Sequence, residues 1–298
     1  MLTWLSLALF LGSAAAGIFF LYACRPVIEH PSFKRTNFLG SEIPGSVGFI
    51  FPLSYMLAYV LVVVFERERP LVWIGPRESL LILVLGMCLL GLLDDMLGNG
   101  ETRGFKGHIR EALRGRFSTG FLKALGGLLI AIAASAPFSH HIWELFLNGA
   151  LIALCANLFN LLDVRPGRAL KVFFPLLAGM IALNWSLENA FIPYLLSVGA
   201  VAIVLFPGDL SGRYMLGDSG SNVLGATVGL GIAIGAGPWW KLGVMVLFAC
   251  LNLMSEKYSF SRTINSNRVL NWLDSLGRKG EKVPETNYNK KRAGYTEV

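Results

Sequence analysis

The sequence predicts an all-α, polytopic integral membrane protein with about nine transmembrane helices, within a range of roughly eight to ten, its N-terminus outside and its C-terminus cytoplasmic. Three observations carry that expectation. The 298 residues are 54% hydrophobic and 15% charged, with a mean hydropathy of +0.57, where a soluble domain carries roughly 25% charged residues. Apolar runs near the spanning length of about 20 residues occupy most of the chain. Basic residues are concentrated in alternate connecting segments.

The apolar runs fall at about 2–23, 48–65, 72–93, 119–137, 143–162, 169–185, 190–206, 220–236 and 238–254. The opening run has the look of a signal peptide, but it lacks a basic start and is long enough to span, so it reads as the first helix. With the N-terminus outside, the cytoplasmic segments hold 22 Lys and Arg, and the outside segments hold only Arg67, Arg69, Arg77 and Lys241. That split is a strong positive-inside signal, and adding or removing one span would spoil the alternation. Residues 1–255 therefore form one membrane domain and 256–298 a basic cytoplasmic tail. The last part of that tail, GRKGEKVPETNYNKKRAGYTEV, is polar and without an apolar face, as disordered segments are. The four cysteines sit in or beside apolar runs without metal-ligand spacing and read as packing residues. The +7 net charge belongs to one set of loops, and no nucleic-acid partner is expected.

The charge pattern also places the acids. Asp94 and Asp95 in GLLDDMLG, Asp163 in NLFNLLDVRPGR and Asp218 in GDSGSN all land at cytoplasmic ends of spans. Four carboxylates meeting at one face among many Lys and Arg describe a site for a divalent cation and a phosphorylated ligand. The bland reading is that each acid caps its own helix. Adjacent residues on a helix point about 100° apart, so one of Asp94 and Asp95 faces the site while the other faces a neighbouring helix. In GDSGSN, Gly217 permits a tight turn, and the helix that follows presents free N–H groups suited to an anion near Gly217 and Ser219. An ordinary N-cap by Asp or Ser is the alternative. Within that run Gly225 with Gly229, and Gly231 with Gly235, have small-xxx-small spacing, which fits helix packing. Asn157, Asn160 and Asp163 share a helical face by i, i+3 spacing, as ligands or as polar packing between helices. Acids at one surface rather than near mid-membrane argue against a transporter.

These motifs, in this order, resemble the polyprenyl-phosphate N-acetylhexosamine-1-phosphate transferases. Asp94-Asp95 matches that family's DD motif; Asn157, Asn160 and Asp163 match its NxxNxxD motif; Gly217 to Ser221 match its GDxGS motif. NFLGSEIPGSVGF (37–49) is similar to its first cytoplasmic loop, and the likeness spans residues 1 to 255. The resemblance implies Mg²⁺-dependent transfer of a sugar-1-phosphate from a UDP-sugar to polyprenyl (undecaprenyl) phosphate, releasing UMP, at the cytoplasmic face of a bacterial inner membrane. Mn²⁺ is an acceptable substitute, and a homodimer is compatible with it.

By that likeness Asp218 is the first metal ligand, helped by Asp163 or Asn160. Asp94 or Asp95 takes the lipid-phosphate proton or positions that phosphate. Lys106, Arg110 and Lys123 neutralise phosphate oxygens. Three departures stand out. Val164-Arg165-Pro166-Gly167-Arg168 replaces the usual G-x-D-G-L continuation, residues 256–278 contain no His, and Gly208 stands where an Asn is common. Arg165 and Arg168, with Arg262 and Arg268, are then candidates for diphosphate neutralisation or for headgroup contact. A relative without catalysis, binding lipid phosphate or acting as a scaffold, is the second expectation.

Overall fold

The computed structural model describes residues 4–65, 74–98, 118–185 and 191–278. Among these described residues there are nine long helices, α1 (Trp4–Ala23), α3 (Ile50–Phe65), α4 (Pro76–Leu97), α5 (Thr119–Ser135), α6 (Ile142–Leu162), α7 (Arg168–Asn184), α8 (Ile192–Leu210), α9 (Asp218–Gly235) and α10 (Pro238–Ser255). Short helices α2 (Arg25–Ile28), α11 (Phe260–Ser266) and α12 (Arg268–Ser275) accompany them. Each apolar run in the sequence coincides with one long helix. Seven helices among the described residues are long and apolar enough to cross a membrane. The chain is thus a predominantly helical, multi-pass membrane protein. The other two miss for visible reasons: α7 has 17 residues and no adjoining 3-10 turn of the kind that lengthens α3 at Val47–Phe49 and α5 at Ala136–Phe138, and α9 opens on Asp-Ser-Gly-Ser-Asn, which dilutes its apolar stretch.

Helix α9 is the axis of the bundle. Every residue from Ser219 to Ala233 is buried, because α9 packs against α4, α6 and α7 at once. The small-residue spacing makes that possible. A Cβ at Gly225 would collide with the Cys155 carbonyl, and one at Gly229 would lie 2.7 Å from Ile152 Cα. Removing the side chain lets the backbones of α6 and α9 meet, the usual solution where helices associate without a hydrophobic driving force.

Around this axis α1 packs on α3 and α8, α5 bridges α4 and α6, and α10 rests on α6. The outer helices turn apolar residues outward, among them Trp239, Trp240, Val246, Leu247 and Leu253 of α10. The Cys88 and Cys155 thiols are buried and unpaired with each other or with the free Cys24 and Cys250, as packing residues should be.

Between α2 and α3 the chain forms a small antiparallel hairpin, β1 (Lys34–Thr36) with β2 (Glu42–Pro44), in register Arg35 to Ile43. The Asn37 side chain closes its turn by accepting from the Leu39 and Ser41 N–H groups at 2.9 and 3.0 Å. Beyond β2 the chain runs beside the segment leading into α9. Met215 N–H donates to Pro44 O at 2.8 Å, Val47 N–H to Met215 O at 3.1 Å and Gly48 N–H to Leu216 O at 3.0 Å.

At the other end of the bundle, two of the basic residues that the charge pattern puts outside are paired. Lys241 Nζ meets Glu144 Oε1 at 2.8 Å with both side chains nearly buried. Arg77 pairs with Glu78 at 2.6 Å and lies 5.1 Å from the centre of the Tyr59 ring. Arg67 and Arg69 lie outside the described residues.

Candidate functional site

The acidic motifs come together at one end of α9. Helix α4 approaches so closely that a Cβ at Gly91 would overlap the Asp218 backbone. One turn further on, Asp94 and Asp95 point different ways, as adjacency on a helix requires. Asp95 faces α9: Oδ1 accepts from Asp218 N–H at 3.0 Å and Oδ2 from Ser219 N–H at 3.1 Å. Asp94 faces α5, where Lys123 Nζ stands 3.4 Å from Oδ2.

Lys123 also pairs with Asp218, and Asn160 Nδ2 lies 3.3 Å from the same carboxylate oxygen. The side chains of Lys123, Asp94 and Asp218 are 15%, 23% and 22% exposed, buried enough to strengthen the charges and open enough to admit a ligand. Arg35 of β1 donates Nε–H to the Asp95 carbonyl at 2.9 Å, tying the hairpin to the end of α4. Gly217 sits at φ 70, and a Cβ there would lie 2.7 Å from Asp95 Oδ2. Only glycine enters this left-handed turn at no steric cost.

The N-terminus of α9 was expected to offer free N–H groups to an anion near Gly217 and Ser219. The structure corrects this. Asp95 takes the N–H groups of Asp218 and Ser219, while those of Gly220 and Ser221 go to the Gly217 carbonyl. The anion at this helix end is a side chain of the protein, in keeping with the helix dipole. The Ser219 hydroxyl turns inward to Leu216 O at 3.1 Å.

Asp163 follows the last residue of α6 and completes the acidic group. Desolvation raises its pKa well above the usual carboxylate range, and the charges of Asp209, Asp218 and Asp95 add to the rise. Asp209, which no motif singled out, is 2% exposed and accepts the Gly167 N–H at 2.9 Å. It thereby pins the 163–168 loop. The sequence marks it only as a lone carboxylate three residues past the apolar run 190–206.

The remaining candidates separate. Asn157 Nδ2 donates to Asn252 Oδ1 at 2.6 Å, joining α6 to α10 as polar packing rather than facing the acids. Arg168 is turned to the tail: Nε and Nη2 reach the two Asp274 oxygens at 2.7 and 2.8 Å, and Nη1 reaches Ser261 Oγ at 2.9 Å. Arg278 joins it, 2.8 Å from Asp274 Oδ1 and 2.9 Å from Pro166 O. Burial raises the Asp274 pKa, but the hydrogen bonds and charges of Arg168 and Arg278 outweigh it and leave the pKa lowered. Arg165 lies over the Phe38 ring at 4.1 Å. Arg262 and Arg268 are exposed on α11 and α12. Lys106 and Arg110 lie outside the described residues.

Among the described residues no three His, Cys, Asp or Glu side chains form a ready cation cage. The donor chemistry still suits Mg²⁺, which takes hard oxygens and commonly binds through one or two carboxylates plus water and substrate phosphate. Asp94 and Asp218 are such a pair, bridged now by the Lys123 ammonium, with the Asn160 amide alongside. No family model matches the chain, and no curated protein matches it at a significant level.

Proposed function

We propose that the protein transfers a sugar-1-phosphate, of the N-acetylhexosamine class, from a UDP-sugar to a polyprenyl phosphate in the bacterial cell membrane. The products are a polyprenyl-diphosphate sugar and UMP. One observation carries this reading: Asp94, Asp95, Asn160, Asp163 and Asp218, drawn from three sequence motifs, meet at one end of the bundle around Lys123. Such a reaction has two anionic substrates, so the protein's task is positioning and charge neutralisation rather than covalent chemistry.

In this reading the described residues divide the work. Asp218 and Asp94 would hold Mg²⁺ with the Asn160 amide, and Asp163 lies behind them. The metal would supply charge neutralisation at the diphosphate. Lys123, now paired with Asp94 and Asp218, would neutralise a phosphate oxygen. Asp95, engaged with α9, fixes the geometry and does not move a proton. Arg165, at the edge of the loop, remains a candidate for phosphate contact, together with Lys106 and Arg110. Nine spans, an outside N-terminus and a cytoplasmic site complete the proposal, supported by the charge asymmetry of the loops. A reporter fused after residue 298 is expected to read as cytoplasmic, and one within 138–142 as external.

The purified chain in lipid, given Mg²⁺, undecaprenyl phosphate and a panel of UDP-sugars, is expected to release UMP with one sugar. UMP release must require the lipid phosphate. A second reading, a lipid-phosphate binding protein without turnover, is favoured by the way Asp274 engages Arg168 in the altered segment. Binding of undecaprenyl phosphate without UMP release from any UDP-sugar would select it.

A further inference from the structure

Helix α12 has two unlike faces, and the wrong one is turned outward for a protein surface in water. At about 100° per residue, Trp272, Leu276, Val269, Leu273 and Leu270 occupy one continuous arc. Arg268, Asn271, Asp274 and Ser275 occupy the other. Of the polar arc, Asp274 faces the protein at 8% exposure while Arg268, Asn271 and Ser275 stay open, and Val269 and Trp272 of the apolar arc are 63% and 60% exposed. Five adjoining apolar side chains left uncovered on so short a helix call for a covering partner.

The anchors of α12 identify that partner by its level. Asp274 is held by Arg168, the first residue of α7, and Lys171 Nζ adds a bond to the Asp274 carbonyl at 2.6 Å. The Gly277 backbone just beyond lies against Leu210, the last residue of α8. The helix is therefore fixed beside the ends of two long helices of the bundle, where hydrocarbon gives way to headgroups. Lys257, Arg262 and Arg268 are exposed on the same segment and supply the basic rim that anionic headgroups attract.

We propose that α12 is an interfacial helix, its apolar arc lying in the acyl boundary of the bilayer, its polar arc open to water and Asp274 on that arc holding the 163–168 loop. Helices of this kind sink their apolar face by about 5–10 Å. The arrangement makes the lipid surface one wall of the support for the loop that carries Asp163. It does not depend on the transferase reading, because it concerns only where the helix lies.

The test uses spin labels on the full chain in nanodiscs of phosphatidylcholine and phosphatidylglycerol, large enough for two copies. With Cys24→Ser and Cys250→Ala as background, a label is placed through Val269→Cys, Leu273→Cys, Asn271→Cys or Ser275→Cys. All four positions are exposed, so the fold tolerates them. Collisions with oxygen, which partitions into lipid, are compared with collisions with a water-soluble nickel chelate. The expected result is an oxygen-to-nickel ratio several-fold higher at 269 and 273 than at 271 and 275. Equal ratios on both arcs would place the helix in water and overturn the proposal. So would labels at 269 and 273 shielded from both reagents, with spin–spin broadening that disappears on dilution with unlabelled chain, because a second copy would then cover the arc.

Discussion

Replacing Asp274 by Ala should release the tail from the bundle. The carboxylate accepts from three guanidinium nitrogens, and the side chains of Arg168, Asp274 and Arg278 are 3%, 6% and 7% exposed. Removing the anion leaves two buried cations facing each other. Breaking a buried pair in this way costs about 3–5 kcal/mol. The chain has a cheaper escape, however: α12 can lift away and let water reach both arginines. The loss therefore shows as local opening, and at about 1.4 kcal/mol per factor of ten a cost near 3 kcal/mol raises the detached population roughly a hundredfold.

Hydrogen exchange reads that population directly, since protected amides exchange through local opening. Amides of residues 272–276 should exchange about a hundredfold faster in Asp274→Ala, while α9 keeps its protection. Replacing Arg168 and Arg278 by Met and Asp274 by Leu together should restore much of it, because an apolar trio needs no counter-charge. The pH sign follows from the lowered pKa of Asp274. The contribution is complete above the unfolded carboxylate value of about 3.9 and disappears as pH falls through the lower folded value. Protection should thus be flat from neutral pH to mild acid and fail only in strong acid. Unchanged exchange in Asp274→Ala would refute the reasoning.

Three further outcomes are expected. Asp218→Asn should abolish UMP release while the protein inserts and purifies normally; near wild-type turnover would remove Asp218 from the metal assignment. Asp163→Asn should lose turnover yet gain about 0.5–2 kcal/mol of stability at neutral pH, as relief of active-site strain commonly does. Its raised pKa costs the fold progressively as pH rises above the unfolded value, so the gain should vanish in acid, as thermal unfolding at two pH values will show. Lys241→Met should cost up to about 3 kcal/mol by leaving the nearly buried Glu144 with the His140 N–H but no counter-charge, while the acidic end keeps its activity; a melting temperature equal to wild type would contradict it.

The helices were legible because each apolar run is long and bounded by charge, and the Gly225 and Gly229 spacing already specified which face of α9 meets a neighbour. The common end of Asp94, Asp95, Asp163 and Asp218 followed from loop charge alone. What Asp95 does was not legible. A carboxylate one turn past a glycine reveals nothing of a second helix until Gly91 is seen against Asp218. Arg168 illustrates the same limit: its partner Asp274 lies 106 residues away, and local sequence equally allowed a phosphate. Asp209 escaped because a lone acid after Pro207 belongs to no motif. The β1–β2 hairpin is too short for period-two alternation to show, and its position depends on backbone bonds to Met215 and Leu216.

The capture of the α9 terminus by Asp95 has a kinetic consequence. The end of the helix that would welcome a phosphate is already closed by a carboxylate with both oxygens engaged. Lys123, the ammonium beside the acidic group, is likewise already engaged, by Asp94 and Asp218. An anion arriving alone would have to compete with these carboxylates for Lys123. Occupancy should therefore be ordered, with positive charge entering first and the anionic substrate second. In steady-state terms, an excess of substrate over divalent cation would slow the protein rather than saturate it.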